Sequence, residues 1–150
     1  MIRVQTEAFD PHAETAAFGQ GRGDAGALAS FIGAVRDSAH GGEVSALELE
    51  AYPGFTEKQI AAIEADARSR FDVIDTLVIH RHGRMLPGEA IVLVAAISKH
   101  RREALQAVDY LMDRLKTEAP FWKKEVRPGA AEWIEPRVDD HASRAKWDKA

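Results

Sequence analysis

The chain contains no cysteine among its 150 residues, which excludes disulfides, thiolate metal sites and cysteine nucleophiles. It also lacks an apolar run that approaches the roughly 18–20 residues needed to span a membrane. The first residues, MIRVQTEAFD, lack the basic and then apolar pattern of a signal peptide. These absences predict a cytoplasmic protein with no thiol of its own and no membrane association.

An excess of positive charge is absent as well. The formal net charge is -4, so the protein as a whole does not attract nucleic acid, and any basic site must be local. Hydrophobic residues make up 45% of the chain and charged residues 29%, as in ordinary folded proteins. The length favours one domain, residues 1–150, with a candidate mobile tail at 136–150. Within it, the polar segment Asp139–Ala150 is either a helix or a loose tail.

Hydrophobic periodicity predicts an α+β fold with an antiparallel or mixed sheet and two main helices. Val44–Tyr52 alternates and, with Ala27–Val35 before it, is typical of an antiparallel hairpin. Thr56 opens a helix, and the segment 56–59 fits a capping box. The remaining predicted elements are strands at Ile2–Val4, Val73–Ile79, Ile91–Ile97 and Ala130–Ile134, and helices at Pro11–Phe18 and Arg101–Lys116, the last with Ala104, Leu105, Val108, Leu111, Met112 and Leu115 on its apolar side.

Two motifs that often mark ligand sites do not predict one here. The glycines of GQGRGDAG (19–26) follow no strand and lack the acidic partner of a dinucleotide site. His80 and His82 have a spacing that can bind a metal, but no third ligand lies nearby in the sequence. We therefore predict no metal site.

The segment 115–125, LKTEAPFWKKE, is the most informative part of the chain. Pro120 is expected to end the preceding helix, and Phe121 and Trp122 to be buried anchors. Lysines held close together against apolar walls depress one another's pKa and bind anions. The alternative for Lys116 is a solvated cation that complements the helix dipole.

Two further groups are candidate anion ligands. His100 and Arg101 stand at the expected start of the long helix, where free N–H groups favour anions. Arg36 follows an apolar strand, and strand ends often carry functional side chains. The alternatives are a histidine near a helix cap and two surface arginines.

Helix length separates two of these groups. Residues 100 and 116 lie 16 positions apart on one predicted helix, or roughly 24 Å. Because a small substrate cannot span that distance, the groups either serve different sites or come from two copies of the chain. We favour a homodimer with shared sites.

The chain resembles the large, catalytic subunit of molybdopterin synthase. The segments that carry the resemblance are FIGAVR (31–36), LELEAYPGFTEKQI (47–60), VIHRHGRMLPGE (78–89), SKHRREA (98–104), LKTEAPFWKKE (115–125) and, more weakly, GAAEWIE (129–135). The resemblance implies an α/β hammerhead-type fold and a homodimer. Each subunit would bind one small ubiquitin-like sulfur carrier, which gives a heterotetramer.

The implied reaction converts cyclic pyranopterin monophosphate into molybdopterin. Two sulfurs arrive as thiocarboxylates on the carrier's C-terminal Gly-Gly tail and become the dithiolene. The chain then needs no cofactor of its own, because the partner supplies the sulfur. The absence of cysteine agrees with this division of labour.

The resemblance also implies site residues. Substrate binding is assigned to Ala34, Val35, Arg36, His100, Arg101, Lys116, Lys123, Lys124 and Glu125. Lys116 is the principal catalytic lysine, which acts on the thiocarboxylate or the tetrahedral species formed from it, and Lys123 stabilises developing negative charge. Phe31 and Arg137 are further candidates. At Ala34 relatives often place a polar or basic residue, so the expected contact there is through the backbone.

Two other functions fit part of the pattern. A non-catalytic partner could dock a ubiquitin-like tail with its lysines and aromatics alone. It would not need the second set of anion ligands, Arg36 with His100 and Arg101. An RNA-binding domain is disfavoured by the acidic net charge and by the lack of an aromatic and basic strand motif.

Overall fold

The structure is a computed structural model that describes residues 1–39, 42–134 and 138–149. The described chain forms, in order, β1 (Ile2–Gln5), α1 (Pro11–Gly19), β2 (Ala27–Ala34), β3 (Ser38–Ala39), β4 (Gly42–Glu43), β5 (Ala46–Ala51), α2 (Phe55–Arg70), β6 (Asp75–Arg81), β7 (Gly83–Met85), β8 (Ala90–Ser98), α3 (Arg101–Glu118), β9 (Phe121–Arg127), β10 (Ala130–Ile134) and α4 (Val138–Ala145). A 3-10 turn, Lys146–Lys149, follows. The α+β class is confirmed.

Two four-stranded sheets organise the described strands. The first has the order β1-β6-β8-β2, in which only β1 and β6 run parallel. The second has the order β10-β9-β5-β7 and is antiparallel throughout. β3 and β4 form a separate two-stranded ladder.

Helices cover both faces of the first sheet, because alternate residues of its buried strands point in opposite directions. Val78, Val94 and Ala96 pack on one side in a cluster with residues of α2 and α3. Leu77, Leu93 and their alternating neighbours pack on the other side with Phe18 of α1. None of the helices in the described part of the chain combines the length and apolarity of a membrane span.

A third buried cluster joins the two sheets. Val35 from the end of β2 packs with Leu47 and Leu49 of β5 and with Met85. The alternation predicted for β5 is confirmed, since Leu47 and Leu49 are buried while Glu50 is exposed. The cavity described below lies beside this junction.

The predicted hairpin is wrong, because β2 and β5 lie in different sheets. β2 pairs with β8, and β5 pairs with β7 and β9. The connecting residues contain the β3–β4 ladder rather than a tight turn. Alternation identified the two strands, but it carries no information on which strands pair.

Two details of the helices also differ from the prediction. Gly54, with a φ of 80°, is the N-cap of α2, and no side chain caps this helix. Thr56 instead accepts a hydrogen bond from the Tyr52 N–H and donates one to the Pro120 carbonyl oxygen. On α3, Leu105 is 59% exposed, while Ala107 and Tyr110 are fully buried on the apolar side.

Candidate active site

A cavity of about 480 Å³ opens beside the last turn of α3, between the ends of the two sheets. Residues from several strands, α3 and α4 line it. They include Phe31, Ala34, Val35, Arg36, His80, Met112, Leu115, Lys116, Phe121, Lys123, Glu125, Ile134 and Asp140. The cavity therefore combines apolar walls with a local concentration of charge.

Strand alternation along β9 decides which of the predicted residues reach the cavity. Phe121, Lys123 and Glu125 line it, whereas Trp122 does not and is 54% exposed. The predicted burial of Trp122 is therefore wrong, because the segment after Pro120 is a strand, and consecutive residues of a strand cannot both face inward. Phe121 is the inward anchor and packs against the cluster that joins the sheets.

Lys116 and Lys123 approach the cavity from different elements. Lys116 lies in the last turn of α3, which ends before Pro120 as predicted, and Lys123 is the third residue of β9. Neither lysine forms a hydrogen bond or ion pair with any residue of the described ranges, and the same holds for Arg36. The cavity thus contains cationic groups that no described carboxylate neutralises by direct contact.

The electrostatic environment acts most strongly on Lys123. Burial lowers the pKa of the Lys123 ammonium, and the positive charges of Lys116 and Arg36 lower it further. Glu125 and Asp140 act in the opposite direction. Lys123 therefore gives up its proton more readily than an exposed lysine, as the sequence predicted for one member of this group.

Glu125 is 5% exposed and held in place by an arginine of the same strand. The Arg127 guanidinium donates to its carboxylate at 3.0 Å and to the Ala39 carbonyl oxygen at 3.1 Å. This pairing compensates the cost of burying the carboxylate. Glu125 is thus a fixed negative charge in the cavity wall.

Lys124 points away from the cavity, to the other face of the second sheet. Its ammonium lies 3.5 Å from the Glu48 carboxylate and 5.5 Å from the centre of the Trp133 ring. The substrate contact predicted for it stays a prediction, and the described chain does not place this side chain beside Lys123.

The end of β2 and the residues directly after it supply another part of the cavity wall. Val35 is 6% exposed, its N–H donates to the Glu89 carbonyl oxygen at 3.0 Å, and its own carbonyl accepts from the Gly88 N–H at 2.8 Å. These bonds fix the backbone between Ala34 and the exposed side chain of Arg36. Phe31, three residues before Ala34 in β2, is 42% exposed and also lines the cavity.

His100 and Arg101 do not line the cavity. They stand exposed at the other end of α3, where His100 is the N-cap without a side-chain capping bond. Within one chain, the fold therefore gathers Arg36, Lys116 and Lys123 and leaves this pair apart, as the helix length predicted. Arg137 lies outside the described residues.

Sequence reasoning missed His80 and Asp140 as cavity residues. His80 is 9% exposed, and its ring stacks on Phe121 with 4.1 Å between centroids. Burial lowers the pKa of His80 to about 4, although the bond to the Arg81 carbonyl, the second-largest influence, raises it. The charges of Lys116 and His82 make smaller contributions that lower the pKa further. Because β6 continues through Arg81, His80 lies on the same face of the strand as Val78, which packs against the helices. The two-residue spacing of Val78 and His80 in the sequence could have indicated this.

Asp140 belongs to α4, so the part of the C-terminal segment from Val138 to Ala145 is a helix.

No group of metal-ligating side chains occurs in the described ranges.

Comparison with known proteins places this chain in a family. The sequence model described as "MoaE protein" matches residues 4–118. The chain is 53% identical over 146 residues to the molybdopterin synthase catalytic subunit of Ralstonia nicotianae, which covers 97% of this chain and 83% of the relative.

Two solved structures are similar over nearly the whole fold. The molybdopterin biosynthesis MoaE protein from Burkholderia ambifaria superposes with a TM-score of 0.83 at 47% identity, over 99% of this chain and 97% of that chain. Molybdopterin synthase from Staphylococcus aureus superposes with a TM-score of 0.80 at 30% identity, over 88% of this chain and 95% of that chain. With a matching family model over most of its length and close relatives over nearly all of it, the chain belongs to the MoaE protein family.

Proposed function

We propose that this chain is the catalytic subunit of molybdopterin synthase, a sulfurtransferase that converts cyclic pyranopterin monophosphate into molybdopterin. The observation that carries the proposal is the cavity in which Arg36, Lys116 and Lys123 make no ion pair with a described residue. Cations without a direct ion-pair partner in a partly enclosed site attract anionic ligands. Both reactants of this conversion are anionic, since one carries a cyclic phosphate and the other a thiocarboxylate. Membership of the MoaE family supports the same assignment.

The sulfur in this proposal arrives on a partner rather than on a cofactor bound by the chain. The partner is a small ubiquitin-like carrier with a thiocarboxylate at its Gly-Gly terminus. In each transfer the carrier's C–S bond breaks, and the sulfur bonds to a substrate carbon. The carrier leaves as a carboxylate, with an oxygen from water or substrate in place of the sulfur. Two such transfers in the cytoplasm form the dithiolene.

The two lysines take different roles. Lys116, exposed in the last turn of α3, is the principal catalytic lysine and contacts the thiocarboxylate or the tetrahedral species formed from it. Lys123, deeper in the wall, stabilises the negative charge that develops there, and a buried cation does so more strongly than an exposed one. Arg36 binds the phosphate, for which a guanidinium offers paired donors. Glu125, fixed by Arg127, orients the lysines.

The complete site in this proposal uses two copies of the chain. His100 and Arg101 are exposed and stand at the far end of α3 from Lys116. A second subunit could bring this pair to the phosphate of a substrate held by Lys116. His100→Ala and Lys116→Ala proteins should each be inactive and should regain activity when mixed. Failure to regain activity after verified subunit exchange would count against a shared site.

Reconstitution tests the function directly. The purified chain is mixed with thiocarboxylated carrier and cyclic pyranopterin monophosphate, and dithiolene formation is measured. Lys116→Ala should abolish turnover while carrier binding is largely retained. Lys58→Ala, which removes an exposed lysine of α2, is the matched control and should leave turnover unchanged.

Two results would contradict the proposal. Full turnover by Lys116→Ala would remove the role assigned to that lysine. A wild-type chain that binds the carrier but forms no dithiolene would identify it as a docking partner without catalytic function.

A further inference from the structure

His80 lies in the cavity at a position to which the proposed mechanism gives no task. It is 9% exposed, and its ring stacks on Phe121 with 19° between the ring planes. It shares the face of β6 from which Val78 packs against the helices. The strand and the stacked ring together hold the imidazole in one orientation.

The hydrogen bonding of the ring identifies its tautomer. Nδ1 lies 2.9 Å from the Arg81 carbonyl oxygen, which can only accept, so Nδ1 carries the proton. Burial keeps the imidazole neutral near neutral pH, because the pKa of His80 is lowered to about 4. The other nitrogen, Nε2, therefore presents a lone pair.

Nε2 of His80 makes no hydrogen bond to any residue that the structure describes. It is not among the described side-chain atoms that are buried without a partner, so it retains accessible surface. Since His80 lines the cavity, the accessible part of its ring faces that space. A ligand there can reach the lone pair.

A neutral acceptor complements the other polar groups of the wall. Lys116, Lys123 and Arg36 donate hydrogen bonds and cannot accept them. The Glu125 carboxylate accepts but is already bound by Arg127, and its charge repels anions. Nε2 can therefore bind an N–H group of an anionic ligand without electrostatic repulsion.

We propose that Nε2 of His80 accepts a hydrogen bond from an N–H group of the ligand that occupies this cavity. The inference rests on the proposed function, which offers two sources of that N–H group. One is the pterin, whose ring and amino nitrogens carry hydrogen. The other is the pair of glycine amides in the carrier tail.

Equilibrium binding distinguishes these sources. Dissociation constants are measured by calorimetry for cyclic pyranopterin monophosphate and, separately, for the carrier, with circular dichroism melts to verify folding. His80→Phe keeps a ring against Phe121 and removes the acceptor, whereas His80→Gln keeps an acceptor oxygen. His82→Phe, at a neighbouring histidine that does not line the cavity, is the matched control.

We expect His80→Phe to bind one of the two ligands about tenfold more weakly, the usual effect of losing one hydrogen bond in a site shielded from water. His80→Gln should recover most of that affinity, and the control should match the wild type. Weaker pterin binding assigns the donor to the pterin, and weaker carrier binding assigns it to the tail. If His80→Phe does not fold, His80→Leu takes its place.

Unchanged affinity for both ligands in a folded His80→Phe protein would overturn the inference. So would equal losses in the Phe and Gln variants, because the effect would then be one of packing. These measurements do not depend on turnover, so a wild type that binds both ligands but makes no product contradicts the proposed function alone. A wild type that binds neither ligand contradicts both.

Discussion

Thr56 joins the start of α2 to the segment that leads into β9, and its loss should destabilise the protein measurably. The side chain is fully buried. Its hydroxyl accepts from the Tyr52 N–H at 2.8 Å and donates to the Pro120 carbonyl oxygen at 3.1 Å. Pro120 cannot donate a backbone hydrogen bond, and its carbonyl directly precedes the strand that carries Lys123.

The magnitude follows from the two hydrogen bonds. Thr56→Val keeps the shape of the side chain but leaves one backbone donor and one backbone acceptor without their partner. Both groups are only partly buried, so each should cost about 1 kcal/mol, at the lower end of the range for an unsatisfied group. The sum, about 2 kcal/mol, corresponds to a fall in Tm of about 6 °C for a chain of this length.

Thermal and urea unfolding of the Thr56→Val protein and of the wild type provide the measurement. Thr117→Val is the matched control, because among the described residues its hydroxyl bonds only to the Asp113 carbonyl of the same helix, at 3.0 Å. That carbonyl can keep a backbone partner, so the control should lose less than about 0.5 kcal/mol. Equal stability of the two variants would show that the Thr56 bridge does not stabilise the junction of α2 and β9.

Two more predictions follow from the charges and aromatic contacts. By NMR, the pKa of the Lys123 side chain should lie below the ordinary value of a lysine. Lys116→Met should raise the pKa of Lys123, because the positive charge of Lys116 favours the neutral form of Lys123; an unchanged titration would refute the coupling. Trp147 packs edge-on against Phe71 and Tyr110. Trp147→Ala should therefore cost about 2 kcal/mol and expose the C-terminal helix to limited proteolysis, and a resistant helix would contradict this role.

The long, strongly periodic elements were predictable because their signals are local. Ile91–Ile97 lies within β8, and the helix expected from Arg101 ends before Pro120, as the missing proline N–H requires. These elements could be predicted without knowing which other elements they pack against.

Contacts between elements that are distant in sequence were harder to predict. The β2–β5 hairpin was expected from adjacency along the chain, yet β2 pairs with β8 and β5 with β9. Thr56 fitted a capping box, but α2 begins one residue earlier, so Thr56 lies inside the helix and its hydroxyl donates to the Pro120 carbonyl oxygen 64 positions away. Both the strand partners and the Pro120 contact are tertiary, and a single sequence contains no direct record of such contacts.

The site itself depends on the phase of one strand. The lysine pattern identified Lys123 and the family resemblance added Glu125, but Phe121 and Trp122 were both expected to be buried, because no strand was predicted after Pro120. Once Pro120 ends the helix and β5 pairs with the next residues, alternation allows two arrangements. Either Phe121, Lys123 and Glu125 face the cavity, or Trp122 and Lys124 do. The register with β5 pairs Glu125 with Leu47 and Lys123 with Leu49, so both charges share the face on which these leucines are buried. Phe121 stacks on His80 from the same face, so the strand phase that buries Phe121 is also the one that brings Lys123 and Glu125 to the cavity.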